Sequence, residues 1–272
     1  AGVGVGSDQT VTIFTPDTTG VVGYAKYDTA TQTWTLLPSD RVAIFADRVE
    51  IRLTDGGIGD DDGVANGTIS DPGGIFTDSA APLVAVTGVV EGRKYVVGSA
   101  PTPACTATDA ASGLAGPCKV SVAGGNAGGV GGFTATASAT DKAGNTATKI
   151  VHYKVIYPWQ GFDSPSLDPC RRDCPMVPVA KAGSSVEVTF TLGRVSGRPV
   201  QLRTPPSWVA PTIVGPLSPS KRDHGISTPV YRLDGKTWRY TWKTTKSMAG
   251  SVWQIGTTLD DGETHIVTIA LR

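Results

Sequence analysis

From Thr10 to Thr54 apolar and polar side chains alternate in short runs: Val11 and Ile13 against Thr10 and Thr12, Trp34 and Leu36 against Thr33 and Thr35, and Val49, Ile51 and Leu53 against Glu50, Arg52 and Thr54. A period of two gives each run one apolar face, which predicts half-buried β-strands. Pro16-Asp17, Asp28-Thr29 and Pro38-Ser39-Asp40 supply turn chemistry between them, so this part reads as an antiparallel sheet. Strand-like runs return at Leu83–Val86, Tyr95–Val97, Val120–Val122, Phe133–Ala137 and Ile150–Tyr153, spaced as in a sandwich. Ser185–Gly193 and Thr237–Lys243 alternate cleanly, and another strand is expected over Ile266–Leu271. Thr204-Pro205-Pro206 and the stretch from Pro211 to Pro219 must be loops or sheet edges, because proline cannot donate to a central ladder.

Composition agrees with the pattern. The 272 residues include 34 Gly and 19 Pro with only 18% charged side chains, a content rich in strand and turn formers. Lys and Arg number 24 against 24 Asp and Glu, which provides no overall field to draw in nucleic acid. No apolar run approaches the roughly 20 residues of a transmembrane helix. The opening Ala1-Gly2-Val3-Gly4 reads as a mature terminus or the edge of an excised fragment.

Four cysteines admit three pairings, of which 105–118 and 170–174 close the shortest loops. The rival reading, a zinc site, lacks paired C-x-x-C spacings and a nearby His at ligand spacing. Disulfides at Cys105, Cys118, Cys170 and Cys174 place the chain in an oxidising, extracellular setting.

Residues 55–74 differ in kind from what precedes them: five Asp and seven Gly with no basic residue. Asp60-x-Asp62-Gly63-x-x-Asn66 repeats part of a calcium-loop pattern, in which oxygen ligands alternate and glycine permits a sharp turn. It is not an EF-hand, since the first and last ligand positions fall on Ile58 and Ile69. Two readings stand side by side: a structural Ca2+ site drawing on Asp55, Asp60, Asp61, Asp62, Asn66 and Asp71, or a solvated loop of Asx-turns. Asp141 and Asn145, in Thr140-Asp141-Lys142-Ala143-Gly144-Asn145, are expected to close a tight turn rather than to bind a cation. Gly124 to Gly132 lacks the helix and Lys-Ser/Thr of a phosphate loop and reads as a mobile hairpin tip.

Three resemblances follow from these motifs. Leu53 to Gly74, with Tyr24-Ala25-Lys26-Tyr27-Asp28 and Trp34, resembles the choice-of-anchor U domain of secreted and surface-attached bacterial proteins. Thr108-Asp109-Ala110-Ala111-Ser112-Gly113 and Thr140 to Asn145 resemble the turns of bacterial immunoglobulin-like modules. Tyr157-Pro158-Trp159-Gln160-Gly161-Phe162, Val179 to Ser184, Trp238 to Thr244, Met248-Ala249-Gly250 and Leu259-Asp260-Asp261-Gly262 resemble the PxKF-type C-terminal domain. The Pro and Lys of its naming motif are replaced here by Glu187 and Thr189, with Phe190 kept. None of these families implies catalysis.

Chemistry is sparse. His152, His224 and His265 form no H-E-x-x-H pair, and no Ser lies in G-x-S-x-G. His152 and His265 are expected to face solvent from strands, and His224 to lie on a loop. Trp238, Tyr240 and Trp242 share one face of a strand, either as a platform for sugar rings or as sandwich core with Arg239, Thr241 and Lys243 outward. An aromatic linker at 157–162 is expected to clamp its neighbours.

The sequence therefore predicts an all-β protein of three consecutive β-sandwich, immunoglobulin-like modules over residues 1–78, 79–157 and 158–272. The expected function is a non-enzymatic extracellular spacer or docking region of a secreted or surface-displayed bacterial protein, with Ca2+ as a possible structural ion. Its expected partners are other extracellular protein domains or a surface polymer, with no nucleic acid and no transmembrane segment. A carbohydrate-binding module of an extracellular enzyme is the alternative, and an extracellular hydrolase the least favoured reading.

Overall fold

The computed structural model describes residues 2–164, 177–215, 226–227 and 230–272. Cys170, Cys174 and His224 lie outside the described residues. The chain is all-β; among the described residues the helical elements are two single 3-10 turns, Ser39–Arg41 and Lys246–Met248. It divides into two compact units, one of residues 1–86, 104–120 and 136–149, the other of residues 87–103, 121–135 and 150–272.

In the first unit, strands β1 (Asp8–Phe14), β2 (Val21–Asp28), β3 (Thr33–Leu36), β4 (Val42–Ile44), β5 (Arg48–Thr54) and β6 (Gly73–Thr77) form two three-stranded sheets, ordered β1-β5-β4 and β3-β2-β6. Val49, Ile51 and Leu53 of β5 are buried with Tyr24 of β2 and Leu37, and Ile13 and Ile75 pack on this cluster from the two sheets. Alternation on β5 thus sets one core face. On β3 the same alternation does not: Trp34 and Leu36 are exposed, because β3 is an edge strand, and the Trp34 ring packs on Tyr27, 5.1 Å away.

The middle of the chain contains β7 (Leu83–Thr87), β8 (Lys94–Val96), β9 (Ala104–Thr108), β10 (Lys119–Gly124), β11 (Gly131–Thr140) and β12 (Thr146–Ile156). Strands β7 and β9 pair, while the others form a sheet in the order β10-β11-β12-β8 whose last pair is parallel. A disulfide joins Cys105 of β9 to Cys118. The glycine-rich β10–β11 turn is pinned rather than loose: Asn126 Oδ1 accepts the Gly128 N–H, its Nδ2 donates to the Asp260 carbonyl, and Val130 is fully buried.

The remaining strands are β13 (Trp159–Ser164), β14 (Val179–Ala180), β15 (Ser185–Leu192), β16 (Arg194–Val195), β17 (Arg198–Pro199), β18 (Ser207–Ile213), β19 (Ile226–Ser227), β20 (Arg232–Asp234), β21 (Thr237–Lys243), β22 (Ser251–Thr258) and β23 (Thr264–Leu271). One sheet runs β13-β15-β21-β19 with β20 beside β21, the other β14-β23-β22-β18. Val188, Phe190, Tyr240 and Trp242 of the first and Trp253, Ile255, Ile269 and Leu271 of the second are buried, and the rings of Trp242 and Trp253 meet edge-on at 5.6 Å. Pro211 sits on edge strand β18 inside a break in register between Val209 and Thr212, where no ladder bond is forfeited.

The 157–162 linker is held within the second unit. Tyr157 is buried and its N–H donates to Asp261 Oδ2 at 2.8 Å. The Trp159 ring stacks on His265 at 3.8 Å, and Glu263 receives both Lys94 and Lys154.

Candidate cation site and basic groove

Carboxylates dominate the polar interior of the first unit, and each is placed by a turn. In the acidic loop, Asp55 is buried and accepts the N–H groups of Gly6, Gly67 and Thr68 at 2.8, 3.1 and 3.1 Å. The Gly6 amide is the largest influence holding its carboxyl below the ordinary range. Asp60 accepts the amides of Gly56 and Ser70, and Asp61 the amide and hydroxyl of Thr29. Asp62 accepts Val64 N–H and Asn66 Nδ2, while Asn66 Oδ1 accepts the Thr68 amide. Asp71 pairs with Lys26 and accepts the Tyr24 hydroxyl. Burial first, and this carboxylate second, push the Tyr24 phenol well above its usual range. Glycine is required here: Gly56 has φ +69°, and a Cβ on it would collide with the backbone of Ala65. Asp55, Asp60, Asp61 and Asp62 are thus arranged one by one as braces of the backbone, while Asp71 is held by side chains.

A second group converges. Asp78, Asp109 and Asp141 each offer a carboxylate oxygen within 4.8 Å of the others. Asp78 and Asp141 are buried and Asp109 is half-buried. Asp78 accepts the amides of Ala80 and Ser112, Asp109 Oδ1 those of Ser112 and Gly113, and Asp141 the amide and Nδ2 of Asn145. Hydrogen bonding from Ser112, then from Ala80, holds the Asp78 carboxyl below its ordinary value. Among the described residues no Lys or Arg forms an ion pair with any of the three. Oxygens at this spacing, with lone pairs to spare, suit a hard cation bound at about 2.3–2.6 Å. Asp141 also closes its turn as the sequence predicts, since the Asp141 N–H bonds the Asn145 carbonyl.

Sequence reasoning missed Asp78 altogether. A signal was present: Thr77-Asp78, Thr108-Asp109 and Thr140-Asp141 each set an Asp directly after the last residue of a strand, at the ends of β6, β9 and β11.

The aromatic strand belongs to the core. Tyr240 and Trp242 are 1% and 0% exposed, so they offer no face to a sugar, and the three-ring platform is replaced by a buried stack in which Tyr240 lies 3.5 Å from Trp208. Trp238 alone of the three is half-buried, and it lines a groove of about 850 Å³ with Gln160, Gln201, Arg194, Arg203 and Lys236.

The histidines form no nucleophile–base arrangement among the described residues. His152 is exposed on β12 beside Glu91. His265 does not face solvent fully: it is half-buried against Trp159, and burial, the largest cause, lowers its pKa below the usual 6.5, while Asp261 and Glu263 oppose the shift.

No family model matches the chain, and no curated protein matches it significantly. Among solved structures it is similar to a chimeric titin Z1Z2-Z1Z2 tandem, with 12% identity, a TM-score of 0.26 and coverage of 98% of this chain and 92% of that one. It is similar to human CDH23 EC21-23 at 12% identity, with a TM-score of 0.23 and coverage of 92% and 87%. A third similarity, to a Bacteroides ovatus mixed-linkage glucan utilization protein, SGBP-B, in complex with a heptasaccharide, has 9% identity, a TM-score of 0.18 and coverage of 71% and 48%. The likeness is remote in each case.

Proposed function

We propose that this protein is a non-enzymatic extracellular spacer or docking region, built of serial β-sandwich modules over residues 1–78, 79–157 and 158–272, and stiffened by calcium. The observation that carries this reading is how the acidic side chains are used: Asp55, Asp60, Asp78, Asp109 and Asp141 hold loop and turn backbone by accepting amide hydrogens. The Cys105–Cys118 disulfide supports an oxidising, extracellular location. Its partners are accordingly other extracellular domains or a surface polymer.

Asp78, Asp109 and Asp141 would hold the ion, which would supply positive charge at three strand ends and tie them together. The acidic loop at Asp60 and Asp62 is the second place to look. Thermal unfolding of the full chain in calcium and in chelator tests this reading, because an ion bound only by the folded state adds about 2.7 kcal/mol at a hundredfold excess over its Kd. Asp109→Asn retains an oxygen for the Ser112 and Gly113 amides while removing a charge. The calcium-dependent rise in midpoint is expected to vanish in Asp109→Asn and to persist in Asp60→Asn/Asp62→Asn. The reverse pattern would move the ion to the loop, and identical midpoints in calcium and chelator would refute calcium stiffening.

A further inference from the structure

The neutral total charge conceals a division. The first unit carries 14 Asp and Glu against 7 Lys and Arg, a net of −7, and the second carries 10 against 17, a net of +7. Each excess has a focus. In the second unit it is the 850 Å³ groove, whose lining includes Arg194, Arg203 and Lys236 and not one acidic residue. Among the described residues none of these three cations is ion-paired, and the nearby carboxylates are turned to other work: Asp234 to Arg239, Asp163 to the Thr191 hydroxyl, Asp260 Oδ2 to the Thr204 amide. The groove also offers apolar surface, from Leu202, Leu233 and Trp238.

The focus in the first unit is the 55–71 loop, set in a stretch with no Lys or Arg between Arg52 and Arg93. Asp61 and Asp62 stand at its turn, flanked by two exposed apolar side chains, Ile58 at 45% and Val64 at 55%. A short segment with carboxylates at its centre and aliphatic groups on either side is what a groove of cations and apolar walls accepts. Arginine pairs bidentately with such carboxylates, and the flanking side chains leave water in the same step.

We infer that the basic groove seats the acidic loop of a second copy of this chain, so that copies associate head to tail. The two surfaces differ, so the contact is heterologous: it does not close on itself as a two-fold dimer does, and copies add in series or form a ring. A molecule with opposed charged units and zero net charge has no like-charge barrier to this association. The contact is small and charged, so it is weak, concentration-dependent and salt-sensitive. It uses neither Asp78, Asp109 nor Asp141, so it is independent of a cation held by those three; because the loop is the second candidate for calcium, the association is measured in chelator, where no cation neutralises the loop.

Sedimentation velocity of the full chain tests it, over about a hundredfold range of concentration, at about 0.1 M and about 1 M salt, where the screening length falls from about 10 Å to about 3 Å. The sedimentation coefficient is expected to rise with concentration at low salt, with an apparent Kd at least about tenfold weaker at high salt. Arg203→Gln/Lys236→Gln removes two of the groove's three charges, and Asp61→Asn/Asp62→Asn removes two of the loop's while keeping an acceptor for Thr29. Unchanged circular dichroism and melting midpoints establish that both variants fold. Each variant alone is expected to stay monomeric, and an equal mixture to stop at a dimer, because one partner still has a groove and the other a loop. A wild-type chain that stays monomeric at low salt overturns the proposal, as does a mixture that fails to pair. Binding of polygalacturonate through Arg203 and Lys236 by a monomeric wild-type chain also overturns it, and assigns the groove to an acidic polymer.

Discussion

Replacing Trp242 by alanine separates the two roles that its strand suggests. Trp242 is fully buried, with its ring against Trp253. An indole that buries about 200 Å² contributes roughly 5 kcal/mol at about 25 cal/mol per Å², and measured Trp→Ala changes in cores lie near 3–5 kcal/mol once partial collapse is included. We expect a loss of about 4 kcal/mol. Five of the six tryptophans, Trp159, Trp208, Trp238, Trp242 and Trp253, belong to the second unit, so indole fluorescence in urea follows that unit. At a slope of about 2 kcal/mol/M the midpoint should fall by about 2 M. The half-buried Trp238 is the internal control, and Trp238→Ala should cost about 1–2 kcal/mol. A Trp242→Ala midpoint within a few tenths of a molar of wild type would refute the assignment of this strand to the core.

Gly256 of β22 lies opposite Ile266, and a Cβ there would run into the His265 carbonyl oxygen, which is backbone and cannot swing aside. Gly256→Ala should therefore cost at least about 1–3 kcal/mol, read as a lower thermal midpoint of the second unit. Cys105→Ala/Cys118→Ala opens a loop of sequence separation 13 and should cost about 2–3 kcal/mol in urea melts, with the reduced wild type matching the variant. His265 has a lowered folded pKa, so below about pH 6.5 the unfolded chain takes up the extra proton and stability falls as pH drops toward the folded value. His265→Gln should flatten that window in a midpoint-versus-pH series. Glu263 is depressed by hydrogen bonds from Lys154 and then Lys94, so its contribution is present above its unfolded value and lost as pH falls through the folded one; Glu263→Gln should remove this lower step.

Strand identity was most legible where both faces had clear demands. β5 and β21 alternate because one face is core and the other is not, β15 alternates in sequence although Thr189 on its second face is also buried, and the sequence marks each of them within a residue or so of its observed limits. β22 escaped notice because Ser251, Gly256 and Thr257 are buried along with Trp253 and Ile255, which erases the period of two. β9 is short, with half-buried Cys105 and Ala107 as its only inward groups. β13 read as a linker because Pro158 and Gly161 flank and interrupt it, and its pairing with β15 has shifts in register. The acidic loop was legible as a loop, but sequence could not show that Asp55, Asp60, Asp61 and Asp62 already serve amides while Asp71 serves Lys26 and Tyr24. The converged Asp78, Asp109 and Asp141 come from three separate strand ends, a juxtaposition that only folding creates.

The central proposal is that this chain is a non-enzymatic spacer or docking region stiffened by calcium. In the second unit β23 is bonded along its length to antiparallel β22 and at Val179 and Ala180 to parallel β14, so tension applied to β23 is shared by the bonds of both ladders. Stretching the full chain between tethers at its two ends, in calcium and then in chelator, is the direct measurement. The account predicts discrete, cooperative unfolding events at appreciable force, at least one of which moves to lower force in chelator. Extension without a force peak would contradict it.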